Sequence, residues 1–213
     1  METMNRILRA TAFVLVLIPC PATAQNQAGG PPADWKAVVE SRLPVFGHRN
    51  WIVVADSAFP EYATPGIETI VADADLPTVL KFVAGAVSSS GHVRATVFLD
   101  KELQFINESD YPGAQELEKQ IVAPFAASQV SSLPHSEVLA RLDDAGKTFR
   151  ILFIKTTAKI PYTSVHIRLD CGYMSAEVER KIKTAMGEAG NQSAKEQSEA
   201  KVSLRVQLRG EHL

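Results

Sequence analysis

Hydrophobic positions along this chain fall into short continuous runs that alternate with stretches of helical spacing. The run 51–55 (WIVVA) carries no polar residue and stops at Asp56, the pattern of a strand buried on both faces. Further short strands are predicted at 66–72, 93–99 (VRATVFL), 149–154 and 164–169, the last two separated by a turn carrying Pro161. Between them, Leu76, Val79, Leu80, Val83 and Val87 recur at helical spacing over 76–87. Asp34 is placed to cap a helix over 35–43 that turns Trp35, Val38, Val39 and Leu43 to one side. Helices are also predicted over 111–125, 134–142 and 176–186. Short apolar strands alternating with helices predict an α/β domain with a layered sheet.

Two segments fall outside this alternation. Arg6 and Arg9 precede an apolar run at 11–18 (TAFVLVLI), which is followed by Pro19, Pro21 and Ala22-Thr23-Ala24. A basic start, a short apolar core and an A-x-A end predict a signal peptide over 1–24, cleaved after Ala24, and hence an exported protein, periplasmic or secreted. The apolar core is far shorter than the roughly 20 residues a membrane span needs, so no stable membrane insertion is expected after cleavage. A lipoprotein reading through Cys20 is disfavoured by Pro19, which stands where a small residue would be expected. Residues 25–33 (QNQAGGPPA) read as a flexible linker. At the other end, 190–201 is polar, and 202–208 (VSLRVQL) alternates with period two, as an edge strand or a loosely held tail would. The expected organisation is therefore leader 1–24, linker 25–33, domain 34–174, and a C-terminal helix with polar tail over 175–213.

Charge and cysteine content narrow the classes of function. The chain has 22 basic and 24 acidic side chains, a net charge of -2. Loss of the leader removes Arg6, Arg9 and Glu2 and leaves 20 basic and 23 acidic side chains, net -3. No excess of cations is present to neutralise phosphates, so no nucleic-acid partner is expected. Cys171 remains as the single thiol of the cleaved chain, which then holds together through its core rather than by an internal disulfide.

Candidate chemistry concentrates in two segments. In 46–60 (FGHRNWIVVADSAFP), His48 precedes the buried strand and Asp56 ends it. Ligands of open α/β sheets bind beyond the carboxyl ends of strands, which makes Asp56 a candidate functional carboxylate; the alternative is a turn-forming Asp bonded to nearby amides. A strand of five residues spans about 16 Å, so His48 and Asp56 meet only if His48 folds back or if each serves a site shared with a neighbouring subunit. In 154–167 (IKTTAKIPYTSVHI), Lys155 and Tyr162 flank a turn, either as part of a polar pocket for a hydroxyl-rich ligand or as an ordinary strand edge.

Together these segments resemble the family of sugar mutarotases that contains D-ribose pyranase and L-fucose mutarotase (RbsD/FucU-like). Three ordered blocks carry the resemblance from about Trp35 to Leu169: Gly47-His48 with Asp56-Ser57-Ala58-Phe59-Pro60; Gly66-Ile67-Glu68 through Leu76-Pro77-Thr78-Val79-Leu80, followed by 93–99; and Pro161-Tyr162-Thr163-Ser164. This would be a divergent, exported member. The resemblance implies a three-layer α/β/α domain with a central mixed sheet. It implies catalytic roles for His48 and Asp56, and substrate contacts from Tyr162, Ser164, Lys155 and His135. Ser164 stands where the family has Asn, Thr157-Ala158 where it has Gly-Glu, and Leu139 where ribose-type members often have Lys. The implied activity is interconversion of the cyclic forms of a monosaccharide by general acid–base ring opening, with no metal, nucleotide or redox cofactor. A ring-type homo-oligomer is implied as well.

Other readings are a monosaccharide-binding module of the same fold without turnover, a metal site drawn from His48, Asp56, His92, His135 and His166, and a serine hydrolase. No HxH, HExxH or CxxC spacing supports the metal, and no G-x-S-x-G elbow supports the hydrolase.

Overall fold

The computed structural model describes residues 34–175 and 177–187. The expected leader, the linker and the period-two segment 202–208 lie outside these residues. The fold is α/β: a six-stranded mixed sheet with helices on both faces.

The elements follow local chemistry. The Asp34 side chain accepts the Lys36 N–H and starts α1 (Trp35–Arg42). Strand β1 (Trp51–Ala55) is buried along its whole length, as its apolar run predicts, and β2 (Ile67–Val71) follows it. Asp75 caps α2 (Leu76–Ser90) by accepting the Thr78 N–H at 2.7 Å, a cap worth about 1 kcal/mol. Pro77 sits in the first turn of this helix, and Gly91, at φ +68°, ends it in the left-handed region. The buried residues of α2 are the five whose spacing predicted the helix.

Strand β3 (Val93–Asp100) runs into a 3-10 turn at Lys101–Phe105. Helix α3 (Ala114–Val122) is shorter than the expected 111–125, because Gly113 at φ +92° breaks the backbone just before it. Strand β4 (Val130–Leu133) was not expected: its four residues, two of them serine, carry neither a run nor an alternation. Helix α4 (His135–Gly146), β5 (Ile151–Lys155) and β6 (Val165–Cys171) complete the domain. Residues 177–187 form a further, exposed helix. No described helix is long and apolar enough to cross a membrane.

The strand order is β2-β5-β1-β6-β3-β4. Strand β6 is antiparallel to β1 and β3, and the other pairings are parallel. Alternation along each strand sorts the core into two layers. Ile52, Val54, Val97, Leu152 and Ile167 face the side covered by α1, α2 and α3. Trp51, Val53, Phe98, Ile151 and Phe153 face the side covered by α4.

The reversal of β6 determines what gathers at one end of the sheet. Val165, its first residue, pairs with Val54 of β1 on one side and Leu99 of β3 on the other. The start of β6 therefore lies beside the ends of β1 and β3. Ser164, Asp56 and Asp100, far apart in sequence, come to the same edge.

Candidate functional site

At that edge a cavity of about 470 Å³ opens, within the size range of small-ligand sites. One wall is the loop after β1, from Asp56 to Pro60. A second is the β5–β6 loop, contributing Lys159, Ile160, Pro161 and Tyr162. His135 and Leu139 of α4, with Tyr111, close the rest.

Hydrogen bonds join the two segments. The Ser57 N–H donates to the Ala158 carbonyl at 2.9 Å, and the Thr156 hydroxyl donates to the Ala55 carbonyl at 2.8 Å. Asp56 is fixed on both oxygens. Its Oδ1 accepts the Ala58 N–H at 2.9 Å, a local turn bond, and its Oδ2 accepts the Ser164 hydroxyl at 2.9 Å. Asp56 thus forms the turn and lines the cavity at once. Tyr162 lies in the left-handed region at φ +60°, where a non-glycine residue costs roughly 1–2 kcal/mol. Its ring meets the His135 ring edge-on, 5.4 Å between centroids and 83° between planes.

His135 opens α4 directly after Pro134. Its backbone N–H donates to both carboxylate oxygens of Glu102, at 3.1 and 3.0 Å, which places an anion at the helix N-terminus. Its Nδ1 lies 2.9 Å from Oδ2 of Asp100. A carboxylate only accepts, so Nδ1 carries the proton and Nε2 is left for a ligand. Asp100, the last residue of β3, is 1% exposed. Burial pushes its carboxyl up to about 6; the His135 contact opposes that shift, and the Glu102 and Asp56 carboxylates add to it.

The other residues singled out in the sequence lie elsewhere. His48 is exposed in the turn before β1, a strand length of about 16 Å from Asp56, and does not fold back. Lys155 ends β5 in register with Ala55 and Val71. It is not among the residues lining the cavity, and the lysine that is lies four positions later, at Lys159. Ser164 reaches the site through Asp56. Both ring nitrogens of His92 lie against backbone carbonyls, and His166 is fully buried with its Nδ1 against the Phe98 carbonyl. Among the described residues no three His, Cys, Asp or Glu side chains gather as metal ligands would.

No protein-family model and no curated protein matches this chain. Solved structures do resemble it. Bacillus subtilis RbsD complexed with D-ribose aligns over 65% of this chain and 94% of its own, at 17% identity and a TM-score of 0.46. The fucose mutarotase from Streptococcus pneumoniae in complex with L-fucose aligns over 63% of this chain and 91% of its own, at 15% identity and a TM-score of 0.43. FucU from Bifidobacterium longum aligns over 63% and 94%, at 15% identity and a TM-score of 0.41.

The sequence does not single out Tyr111 and Lys159, which line the cavity, or Asp100 and Glu102, which hold His135. The signal for Asp100 was present: VRATVFLD ends a buried strand in an aspartate as WIVVAD does. The rule that singled out Asp56, a polar residue at the carboxyl end of a strand, applies to it equally.

Proposed function

We propose that this chain binds a monosaccharide in the cavity and interconverts its cyclic forms by acid–base opening and closing of the hemiacetal ring. The observation that carries the reading is the convergence of Asp56, His135 and Tyr162, from three distant segments, on one cavity. The ordered blocks shared with sugar mutarotases support it. In the reaction a base removes the anomeric hydroxyl proton and the C1–ring oxygen bond breaks. The ring oxygen takes the electron pair and a proton from an acid, which leaves an open-chain aldehyde; closure on the other face returns both protons. Within one chain the imidazole at the cavity is His135, whose Nε2 exchanges a proton with the sugar. An imidazole suits the task because its ordinary pKa lies near neutrality. Asp56 and the Tyr162 phenol hold sugar hydroxyls.

His48 enters this reading only from a neighbouring copy. A head-to-tail contact in a ring would set the turn before β1 of one copy against the cavity of the next, and His48 would then be the second acid–base group. The protein would act after export, with the leader 1–24 removed.

One observation favours binding without turnover. Ser164 stands where the resembling family has Asn, and its hydroxyl is used on Asp56. NMR exchange between anomers, measured over a panel of aldoses and deoxy sugars, separates the two readings. Exchange above the uncatalysed rate that His135→Ala abolishes supports the mutarotase. Calorimetric binding without exchange supports the binding module, and neither signal with any sugar overturns both.

A further inference from the structure

We propose that Asp100 is the positioning residue of the cavity imidazole: it takes the Nδ1 proton of His135 in a hydrogen bond and so directs the lone pair of Nε2 to the ligand.

The carboxylates of this protein differ in how they are held. Asp56, Glu102 and Asp170 each have both oxygens in hydrogen bonds. Asp100 is the most deeply buried of them, at 1% exposure, yet its Oδ1 has no partner among the described residues. Its one bond is to the imidazole. A buried carboxylate is costly unless its hydrogen bonds are filled. A carboxylate serving only the fold would have both oxygens filled, as those of Asp170 are by Arg168 and Thr96. What the Asp100 side chain fixes is the orientation of His135.

The surroundings leave His135 as the proton donor to Asp100. His166, the second residue of β6 and two positions after Ser164, lies on the same sheet face and pairs with Phe98 across the ladder. Its Nδ1 donates to the Phe98 carbonyl at 3.3 Å, and burial drives its pKa down to about 3, so it stays neutral with a bare Nε2. Glu102, on the 3-10 turn, and Asp56, at the end of β1, are carboxylates and bring no donor. His135 is thus fixed three ways: at its backbone by Glu102, at Nδ1 by Asp100, and by the near-perpendicular ring of Tyr162.

The kinetic half of this inference rests on the acid–base reading above; the structural half stands without it. Nitrogen-15 NMR of His135 in the full, ligand-free protein should find the Nδ1–H tautomer, and Asp100→Ala should shift the population toward Nε2–H. On the best sugar of the exchange panel, Asp100→Asn and Asp100→Ala should lower kcat by about 10- to 100-fold, with KM changed by less than about threefold. A wild-type His135 protonated at Nε2 would overturn the proposal without needing any variant to fold. An unchanged tautomer in Asp100→Ala would do the same. Wild-type protein with the Nδ1–H tautomer but no exchange on any sugar would overturn the mutarotase reading and leave Asp100 as the positioning residue of a binding site.

Discussion

Ser164 and Asp56, 108 positions apart, exchange two hydrogen bonds: the serine hydroxyl donates to Oδ2 at 2.9 Å and accepts the aspartate N–H at 3.2 Å. This reciprocal pair ties the end of β1 to the start of β6. Ser164→Ala removes both bonds from a position 1% exposed, and should cost about 1–2 kcal/mol in urea unfolding. A double-mutant cycle with Asp56→Ala, which leaves the residue-56 N–H in place, should recover the part carried by the hydroxyl–Oδ2 bond, about 1 kcal/mol. Additive single-mutant effects would mean that the two residues are neighbours without being partners.

His92 is held by three backbone carbonyls. Its Nδ1 lies 3.2 Å from the Ser90 oxygen, and its Nε2 lies 3.0 and 3.2 Å from those of Phe46 and Leu43. Carbonyls only accept, so both nitrogens are satisfied only in the protonated ring. These bonds, to Ser90 and then Phe46, raise its pKa above the ordinary value. A raised folded-state value contributes stability that is fully present below about pH 6.5 and is lost as pH rises through the folded value. The melting-temperature gap between wild type and His92→Gln should therefore be widest at pH 6 and should narrow by pH 8.5. A gap that does not change with pH would show that the ring binds these carbonyls in its neutral form.

How far the sequence reached depended on whether a feature is local. The stripe of α2 and the run of β1 are local, and both elements formed where their patterns lie. Strand β4 exists because β3 offers it a parallel edge, from Val97↔Val130 to Asp100↔Leu133, and nothing in VSSL announces that. The site divides in the same way. Asp56 and Tyr162 sit in recognisable segments and His135 at a recognisable helix start. Their meeting depends on β6 lying reversed between β1 and β3, which no periodicity reports. Asp100 ends its strand as Asp56 does, a local signal, but its meeting with His135 is tertiary and no local pattern reports it. His48 illustrates the converse: the family resemblance assigns it a catalytic role, and the intervening strand holds it away from Asp56, as the strand's length implies.

Gly66 is where the turn before β2 touches the end of α4. A β-carbon there would run into the carbonyl oxygen of Gly146 and lie 3.0 Å from that of Phe149. Both obstacles are backbone, so no side chain can swing away. Gly66→Ala should destabilise the domain by about 1–3 kcal/mol, lowering its melting temperature by about 3–10 °C. Gly146 lies at the far end of α4 from His135, so ligand affinity measured well below the melting temperature should stay within about twofold of wild type. A loss of affinity much larger than that would mean that α4 shifts along its axis and carries His135 with it.

Asp100 should lower stability at the pH where it serves His135. Its carboxyl is raised from about 4 to about 6, mainly by burial. For a raised value the stabilising state is the protonated one: its contribution is complete below about pH 4 and lost as pH climbs through about 6. A shift of about two units corresponds to a cost of up to about 3 kcal/mol above pH 6. Asp100→Asn keeps the shape and cannot ionise, so its stability should hold level where that of the wild type declines. Urea unfolding at half-unit steps from pH 4 to 8 should show the variant gaining on the wild type between pH 4 and 6 and keeping that lead above 6. The same variant should lose the Nδ1–H tautomer of His135, so a gain in stability and a loss of imidazole orientation would come from one atom exchange. A variant that is less stable than wild type at every pH would show that Asp100 is held for the fold.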